Sequence, residues 1–354
     1  MGKRYLFFVS VAYSYPILRP LQKEILRRGD EAAWFIEPQC ADLLEAGEKR
    51  LCFISEVEEY RPMAVFAPGN YIYDFFPGIK VCVFHGFPIN KRGDAKDDHF
   101  SIRGWFDIYC TQGKTSTEPF RRLEAKYGFF KVYETGWCKA DSFAERRNCG
   151  RKNERPVIFY SSTFTKSVTS APALWKTIKS LAETKDWDWI LSFHPKFSDV
   201  ETLDRYRELA STHANVVFHE GGVVDADLLD RADVMLSDSS SVIVEFMMLN
   251  KPVVTFRNTM PGPHLVNVQN EDEVERAIEF ALARPEELMN AVSDFVHNHE
   301  AYLDGKASAR VLDAVDDFDT HYKGHLKRKP LNLVRKVKLR LKLGYKPWNL
   351  WRSH

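Results

Sequence analysis

Short apolar runs alternate with longer stretches whose apolar residues recur at helical spacing, and this alternation constrains the chain more than any other feature. Arg4–Ser10 and Glu31–Ile36 read as strands. Between them Ile17–Arg28 reads as a helix, with Ile17, Leu18, Leu21, Ile25 and Leu26 on one side. Met63–Ala67, Lys80–Phe84, Asp107–Thr111 and Val132–Thr135 continue the strand series, with Thr115–Tyr127 as a helix between the last two. Consecutive strands separated by helices pair in parallel, because a parallel connection needs a crossover long enough to hold a helix. Such sheets are covered on both faces, which suits the near-continuous apolar character of the runs. With 44% hydrophobic residues, the chain can fill the cores this requires.

The pattern breaks once and restarts. Asn148–Arg155 is polar and aperiodic, so residues 148–155 read as a linker. Beyond it Pro156–Tyr160, Trp187–Phe193, Asn215–Phe218, Asp233–Leu236 and Pro252–Phe256 read as strands. Ala173–Thr184, Ser240–Asn250 and Glu271–Ala283 read as helices. The expectation is two α/β, doubly wound, Rossmann-like domains, at 1–147 and 156–320, followed by a basic amphipathic tail at 321–354. Ligands of such sheets bind beyond the carboxyl ends of the strands, so polar residues directly after each strand are the candidates.

His85 and Gly86 follow Lys80–Phe84. An imidazole there can take a proton near neutral pH, and nearby Lys91 and Arg92 suit an anionic substrate. The rival reading is a structural loop histidine. After Trp187–Phe193 come His194, Pro195 and Lys196, a pair for phosphate or simply a surface turn. His219 follows another strand and can line the same crevice. After Asp233–Leu236 stands Asp238-Ser239-Ser240-Ser241, ahead of a helix suggested by Val242, Ile243 and Phe246. Ser237 or Asp238 can cap that helix, while its first amides and the serine hydroxyls offer an anion site. Capping needs one such residue, and four in a row favour the anion site.

Other signals lead elsewhere. Asp186-Trp187-Asp188 precedes a strand, at the end away from the crevice, and reads as turn chemistry. Asp225-Ala226-Asp227 reads as a helix start. The histidines lack a metal-ligand pattern with nearby cysteine, and there is no phosphate-binding or dinucleotide glycine motif, so neither a metal nor a cofactor is expected. Cys40, Cys52, Cys82, Cys110, Cys138 and Cys149 form no CxxC pair and read as buried thiols of a reducing compartment. The N-terminus does not read as a signal peptide, and no apolar stretch is long enough to span a bilayer.

Taken in order, His85-Gly86-Phe87-Pro88, Thr135-Gly136, His194-Pro195, Asp238-Ser239-Ser240-Ser241 with Lys251-Pro252, and Asp304-Gly305-Lys306-Ala307 resemble the CDP-glycerol glycerophosphotransferase family, which makes teichoic-acid-type polymers. The resemblance implies a GT-B fold, two Rossmann-like domains facing across a cleft. It also implies transfer of glycerol phosphate from CDP-glycerol, or a related CDP-alcohol, to a hydroxyl of a glycan or lipid-linked glycan, with release of CMP. His85 then matches the general base, His194 a donor contact, and Ser240 and Ser241 the phosphate-binding helix start. Gly86, Lys91, Arg92, Lys196, His219, Asp238, Ser239 and the acid Glu245 complete the expected substrate-binding set. The sequence departs from the family pattern at Phe84, where Trp is usual, at Lys91, displaced by one, across Trp137–Asp141, and at Glu245, where Asp is usual. These departures leave the donor's alcohol open. A nucleotide-sugar glycosyltransferase, a UDP-sugar epimerase of the same fold, and a non-catalytic nucleotide-binding relative are the alternatives.

The formal net charge of +1 conceals an asymmetry: residues 321–354 hold many Lys and Arg but no Asp or Glu, so the rest of the chain is acidic. Leu333, Val334, Val337 and Leu341 at helical spacing, with basic residues between and Trp348 and Trp351 beyond, suit an anionic membrane surface. The corresponding location is cytoplasmic, peripheral on the inner face of the membrane. Nucleic acid is the less favoured partner, and a helix packed on the acidic N-terminal domain is the plain alternative.

Overall fold

A computed structural model describes residues 2–87, 98–144, 146–147, 152–194, 196–220 and 224–345. The chain forms two compact units, one of residues 1–88, 97–141 and 299–354 and the other of 89–96 and 142–298.

The first unit is built on seven parallel strands: β1 (Arg4–Val9), β2 (Glu31–Ile36), β3 (Arg50–Leu51), β4 (Ala64–Ala67), β5 (Ile79–Cys82), β6 (Ile108–Thr111) and β7 (Lys131–Glu134). Their order is β3-β2-β1-β4-β5-β6-β7, so the winding reverses between β1 and β4. Each expected strand of this half is present within a residue or two. The two-residue edge strand β3 was not expected, being too short to leave a period. Helix Tyr15–Arg27 buries Tyr15, Ile17, Leu18, Leu21 and Ile25, whereas Leu26 is exposed. The other face carries an aromatic core in which Phe8, Phe35, Tyr73 and Phe76 pack edge to face.

The second unit has six parallel strands: β8 (Val157–Ser162), β9 (Asp188–Phe193), β10 (Val216–His219), β11 (Val234–Ser237), β12 (Val253–Phe256) and β13 (Val266–Val268), in the order β10-β9-β8-β11-β12-β13. Its winding reverses between β8 and β11, where Ser237 pairs with Ser161. Edge strand β13 was again too short to read. Asp225 caps helix Ala226–Asp230, accepting from the Leu228 amide at 2.8 Å, as expected of a helix start. Asp186 and Asp188 both pair with Arg155, in keeping with the turn reading.

Two expectations need correction, and one open alternative is decided. The chain does not divide at 148–155 and 320: helix Ala307–His321 packs on β5, β6 and β7 of the first sheet. This helix was not among those read from the sequence. Second, the thiols are not uniformly buried, since Cys52 is exposed and Cys40 half-buried, while Cys82, Cys110 and Cys138 are buried. The tail, left open between a membrane surface and the protein body, packs on the first unit in its described part. Helix Leu333–Lys342 inserts the fully buried Arg340 against Asp74, with two parallel bonds of 2.8 and 2.9 Å. Tyr345 stacks on Phe75 at 4.1 Å. Lys329 pairs with Asp107 at 2.6 Å. Gly104, at φ 75°, admits the chain here, because a Cβ would lie 2.5 Å from Pro330. Trp348 and Trp351 lie outside the described residues.

Candidate active site

In the first unit the candidate histidine stands just beyond β5. Val83 and Phe84 continue the strand direction, and Phe84 turns the chain with φ 52°. His85 is exposed between buried Phe84 and buried Gly86. The carbonyls on either side of it are held from neighbouring chain segments. The Trp137 indole N–H donates to the Phe84 carbonyl at 3.1 Å, and the Gln112 amide donates to the Gly86 carbonyl at 2.8 Å. The Phe84 ring packs on Phe120 and on the imidazole of His99. Burial, and secondarily the nearby His85, lowers the His99 pKa to about 4, so His99 is neutral where His85 would work. The Tyr13 ring lies 5.6 Å from that of His85, and burial raises the Tyr13 phenol above its usual range. Lys91, Arg92 and Pro88 lie outside the described residues.

Two of the motif segments that carry the family resemblance are structural joints of this unit. The buried Glu300 carboxyl accepts the Trp137 backbone N–H at 3.0 Å. Asp141 caps helix Ala307–His321, accepting the amides of Ala307 and Ser308 at 2.8 Å each. Thr135–Asp141 and Asp304–Ala307 are thus stitched together. Gly136, at φ 78°, is required there, since a Cβ would sit 2.5 Å from Glu300 Oε1.

In the second unit the candidates collect at the reversal between β8 and β11. The chain after β11 was expected to cap a helix and offer its amides. Instead the buried Asp238 is a clasp. One carboxylate oxygen accepts from Ser162 Oγ at 2.7 Å and from Ser170 N and Oγ at 3.0 Å; Thr163 N reaches both oxygens at 3.1 Å, and Ser239 N donates to the other at 2.7 Å. A carboxylate so saturated ties the loop after β8 to the loop after β11. Ser237 does not cap either, for its hydroxyl donates to the Ser161 carbonyl at 2.7 Å. Ser239 is buried against Thr259. Ser240 and Ser241 are half-buried, and Ser241 is the residue at the helix cap.

The helix itself, Val242–Met248, is shorter than expected, and the amides of Ile243 and Val244 already donate to Ser240 and Ser241. The open row of amides inferred from the sequence is therefore narrower, leaving the serine hydroxyls as the main polar groups. Glu245 is buried in this helix.

His194, half-buried after β9, accepts the Lys196 amide on Nδ1 at 3.0 Å, which puts the proton of the neutral ring on Nε2. Its ring lies 4.4 Å from Phe164, and Lys196 Nζ lies 6.0 Å over the same phenyl. Phe164 also lines a groove of about 460 Å³ with Lys166, Thr169 and Ser198. His219 ends the edge strand β10 and is half-buried. Sequence reasoning missed Phe164 and the Asp238 partners, although the hydroxyl-rich run Ser161–Ser170 directly after a strand was their signal. It missed Gln112 and Glu300 because neither lies in a recognisable motif. No group of three or more His, Cys, Asp or Glu among the described residues is arranged to hold a metal ion.

The family described as UDP-N-acetylglucosamine 2-epimerase matches residues 148–316. No curated protein matches the chain. Among solved structures, the wall teichoic acid polymerase TagF is similar with a TM-score of 0.63 at 14% identity, over 88% of each chain. A putative UDP-N-acetylglucosamine 2-epimerase from Listeria monocytogenes gives 0.63 at 12% identity, over 93% of this chain and 99% of that one. The fold is GT-B. The S. aureus MnaA–UDP structure, with a TM-score of 0.60 at 16% identity over 93% and 99% of the two chains, has the same architecture. At these identities the likeness extends to the two parallel-sheet units and not to the chemistry they carry.

Proposed function

We propose that the protein is a GT-B transferase that moves glycerol phosphate from CDP-glycerol, or a close CDP-alcohol, to an acceptor hydroxyl. The observation that carries this reading is the exposed His85 beyond β5, in a turn held at both flanking carbonyls. In the proposed step His85 takes the acceptor O–H proton as the oxygen attacks the phosphorus that bears glycerol. The new O–P bond forms while the bond from that phosphorus to the bridging oxygen breaks, and CMP leaves with the electron pair. His194, as an Nε2–H donor, and the hydroxyls of Ser240 and Ser241 neutralise the phosphate charge, with Lys196 as a further contact. His219, Lys91, Arg92 and Glu245 remain candidate contacts, and Asp238 and Ser239 act by holding the loops. The acceptor is a glycan or lipid-linked glycan. The tail's outward side, with Leu331, Val334 and Leu341 exposed beside Arg335, Lys338 and Lys342, suits the anionic surface on which such an acceptor resides. No helix among the described residues is long and apolar enough to cross a membrane, so contact would be peripheral.

The epimerase match favours a second reading, action on a UDP-sugar. That match begins at residue 148, in the half that would hold a nucleotide under either reading, and does not reach His85-Gly86-Phe87-Pro88. The test is CMP release from CDP-glycerol by purified protein with a glycan or glycerol-phosphate acceptor. His85→Ala is expected to slow it by about 10²–10⁴-fold. Full turnover in that variant removes His85 as base; UDP-sugar turnover with CDP-glycerol ignored establishes the second reading.

A further inference from the structure

We propose that Trp137 and Gln112 are positioning residues that aim the His85 imidazole, an inference that rests on the transfer reading above and deepens it. A histidine in an exposed turn ordinarily samples several rotamers and backbone states. Here the carbonyls immediately before and after it are each pinned by a side-chain N–H from a different segment of the unit. Both donors are rigid, with Trp137 at 1% and Gln112 at 0% exposure. Trp137 is fixed by the Glu300 carboxyl on its backbone N–H and by the edge of Phe87, whose ring lies 5.2 Å away. Gln112 lies just beyond β6; its backbone N–H donates to Ser116 Oγ at 3.2 Å, and its backbone carbonyl accepts the Ala301 N–H at 3.0 Å. With the peptide groups on both sides held inward, the His85 side chain is the outward group of the turn. The Phe84 φ of 52°, unfavourable for a bulky residue, is the backbone state this imposes.

A second observation singles out Gln112. Its Oε1 is buried with no hydrogen-bond partner among the described residues, while its Nε2 serves Gly86. The opposite amide orientation would set oxygen against the Gly86 carbonyl, so the network fixes the assignment. A buried acceptor without a partner is destabilising. An apolar side chain would remove that unpaired oxygen but would leave the buried Gly86 carbonyl without its donor. Glutamine here serves the Gly86 carbonyl and so holds the turn, while its own oxygen goes unpaired among the described residues.

The test uses the full chain with Trp137→Phe, which keeps an aromatic ring and removes the indole N–H, and Gln112→Met, which keeps length and removes the donor. Melting curves first identify variants that remain folded. The first readout needs no substrate: the His85 Cε1–H resonance is expected to be single and sharp in the wild type and to broaden or split in each variant. The second readout is turnover. Each variant is expected to lower kcat for CMP release about tenfold with KM within about twofold, and to add nothing in the His85→Ala background, because its effect passes through that ring. A folded variant with an unchanged His85 resonance and unchanged kcat overturns the proposal, as does an equal further loss in the His85→Ala background. If the wild type turns over no CDP-alcohol while the variant resonances broaden, the transfer reading fails and the positioning role stands.

Discussion

At the scale of single residues, the molecule separates histidines by environment. His85 faces solvent, whereas His99, stacked on Phe84 at 5.1 Å, is half-buried. Because the folded pKa of His99 is near 4 and that of an unfolded histidine is about 6.5, the unfolded chain binds the extra proton between these values. The contribution of neutral His99 to stability is therefore complete above about pH 6.5 and is lost as pH falls towards 4. Urea unfolding midpoints measured across that window should decline with acid, and His99→Phe should remove up to about 3 kcal/mol of the decline. An equal slope in the variant would mean that other groups dominate acid unfolding. Asp238 teaches a different lesson. Its place between two apolar segments was visible in the sequence, but the hydroxyls and amides of Ser162, Thr163 and Ser170 meet it only when β8 lies beside β11. Adjacency in the sheet, not in the chain, supplies the partners that make it a clasp.

At the scale of elements, several long amphipathic segments were read correctly, whereas helices Val200–Thr212, Glu286–His299 and Ala307–His321 and the short edge strands were not. Helices such as Lys114–Tyr127 and Ala171–Thr184 carry several turns of pattern, while β3 and β13 have two and three residues and leave none. The tail helix was legible as amphipathic, yet its pattern fitted a bilayer or a protein surface equally well. Arg340 decides where the inner side lies. Burying a guanidinium is unfavourable without a partner, and Asp74, itself 8% exposed, supplies two bonds while Lys336 approaches it at 3.4 Å. Asp74→Ala should destabilise the docked tail by about 3–5 kcal/mol by leaving that charge buried alone. Trypsin should then cut within residues 327–342 much faster, with the remainder of the chain intact. Tail cleavage at the wild-type rate would show that the apolar contacts of Leu339, Leu343 and Tyr345 suffice without the ion pair.

At the scale of the whole molecule, the two units are distinct sheets with distinct cores, and each reverses its winding beside its first strand. That topology places the candidate groups of each unit beyond strand carboxyl ends, where open α/β sheets bind ligands. Fold alone does not choose among nucleotides, since a teichoic acid polymerase and epimerases share it. Ligand linkage does choose. A nucleotide at a hundred times its Kd stabilises the protein by about 2.7 kcal/mol, enough for a clear rise in Tm. CDP-glycerol or CDP-ribitol should give that rise, whereas UDP- and GDP-sugars should not. A rise with UDP-N-acetylglucosamine alone would instead support the epimerase reading.

The sequence by itself determined the parallel α/β architecture, its duplication, and the ends of strands at which His85, His194 and the serine run would stand. These follow from hydrophobic period and from breakers a few residues away, which are local properties. Only the tertiary structure decided that Ala307–His321 returns to the first sheet, that Arg340 docks the tail on Asp74, and that Trp137 and Gln112 grip the turn around His85. Each of these is a pairing of residues distant in the chain. Burial makes such a pairing strong by removing water from both partners, and periodicity can say that a face will be buried without saying against what.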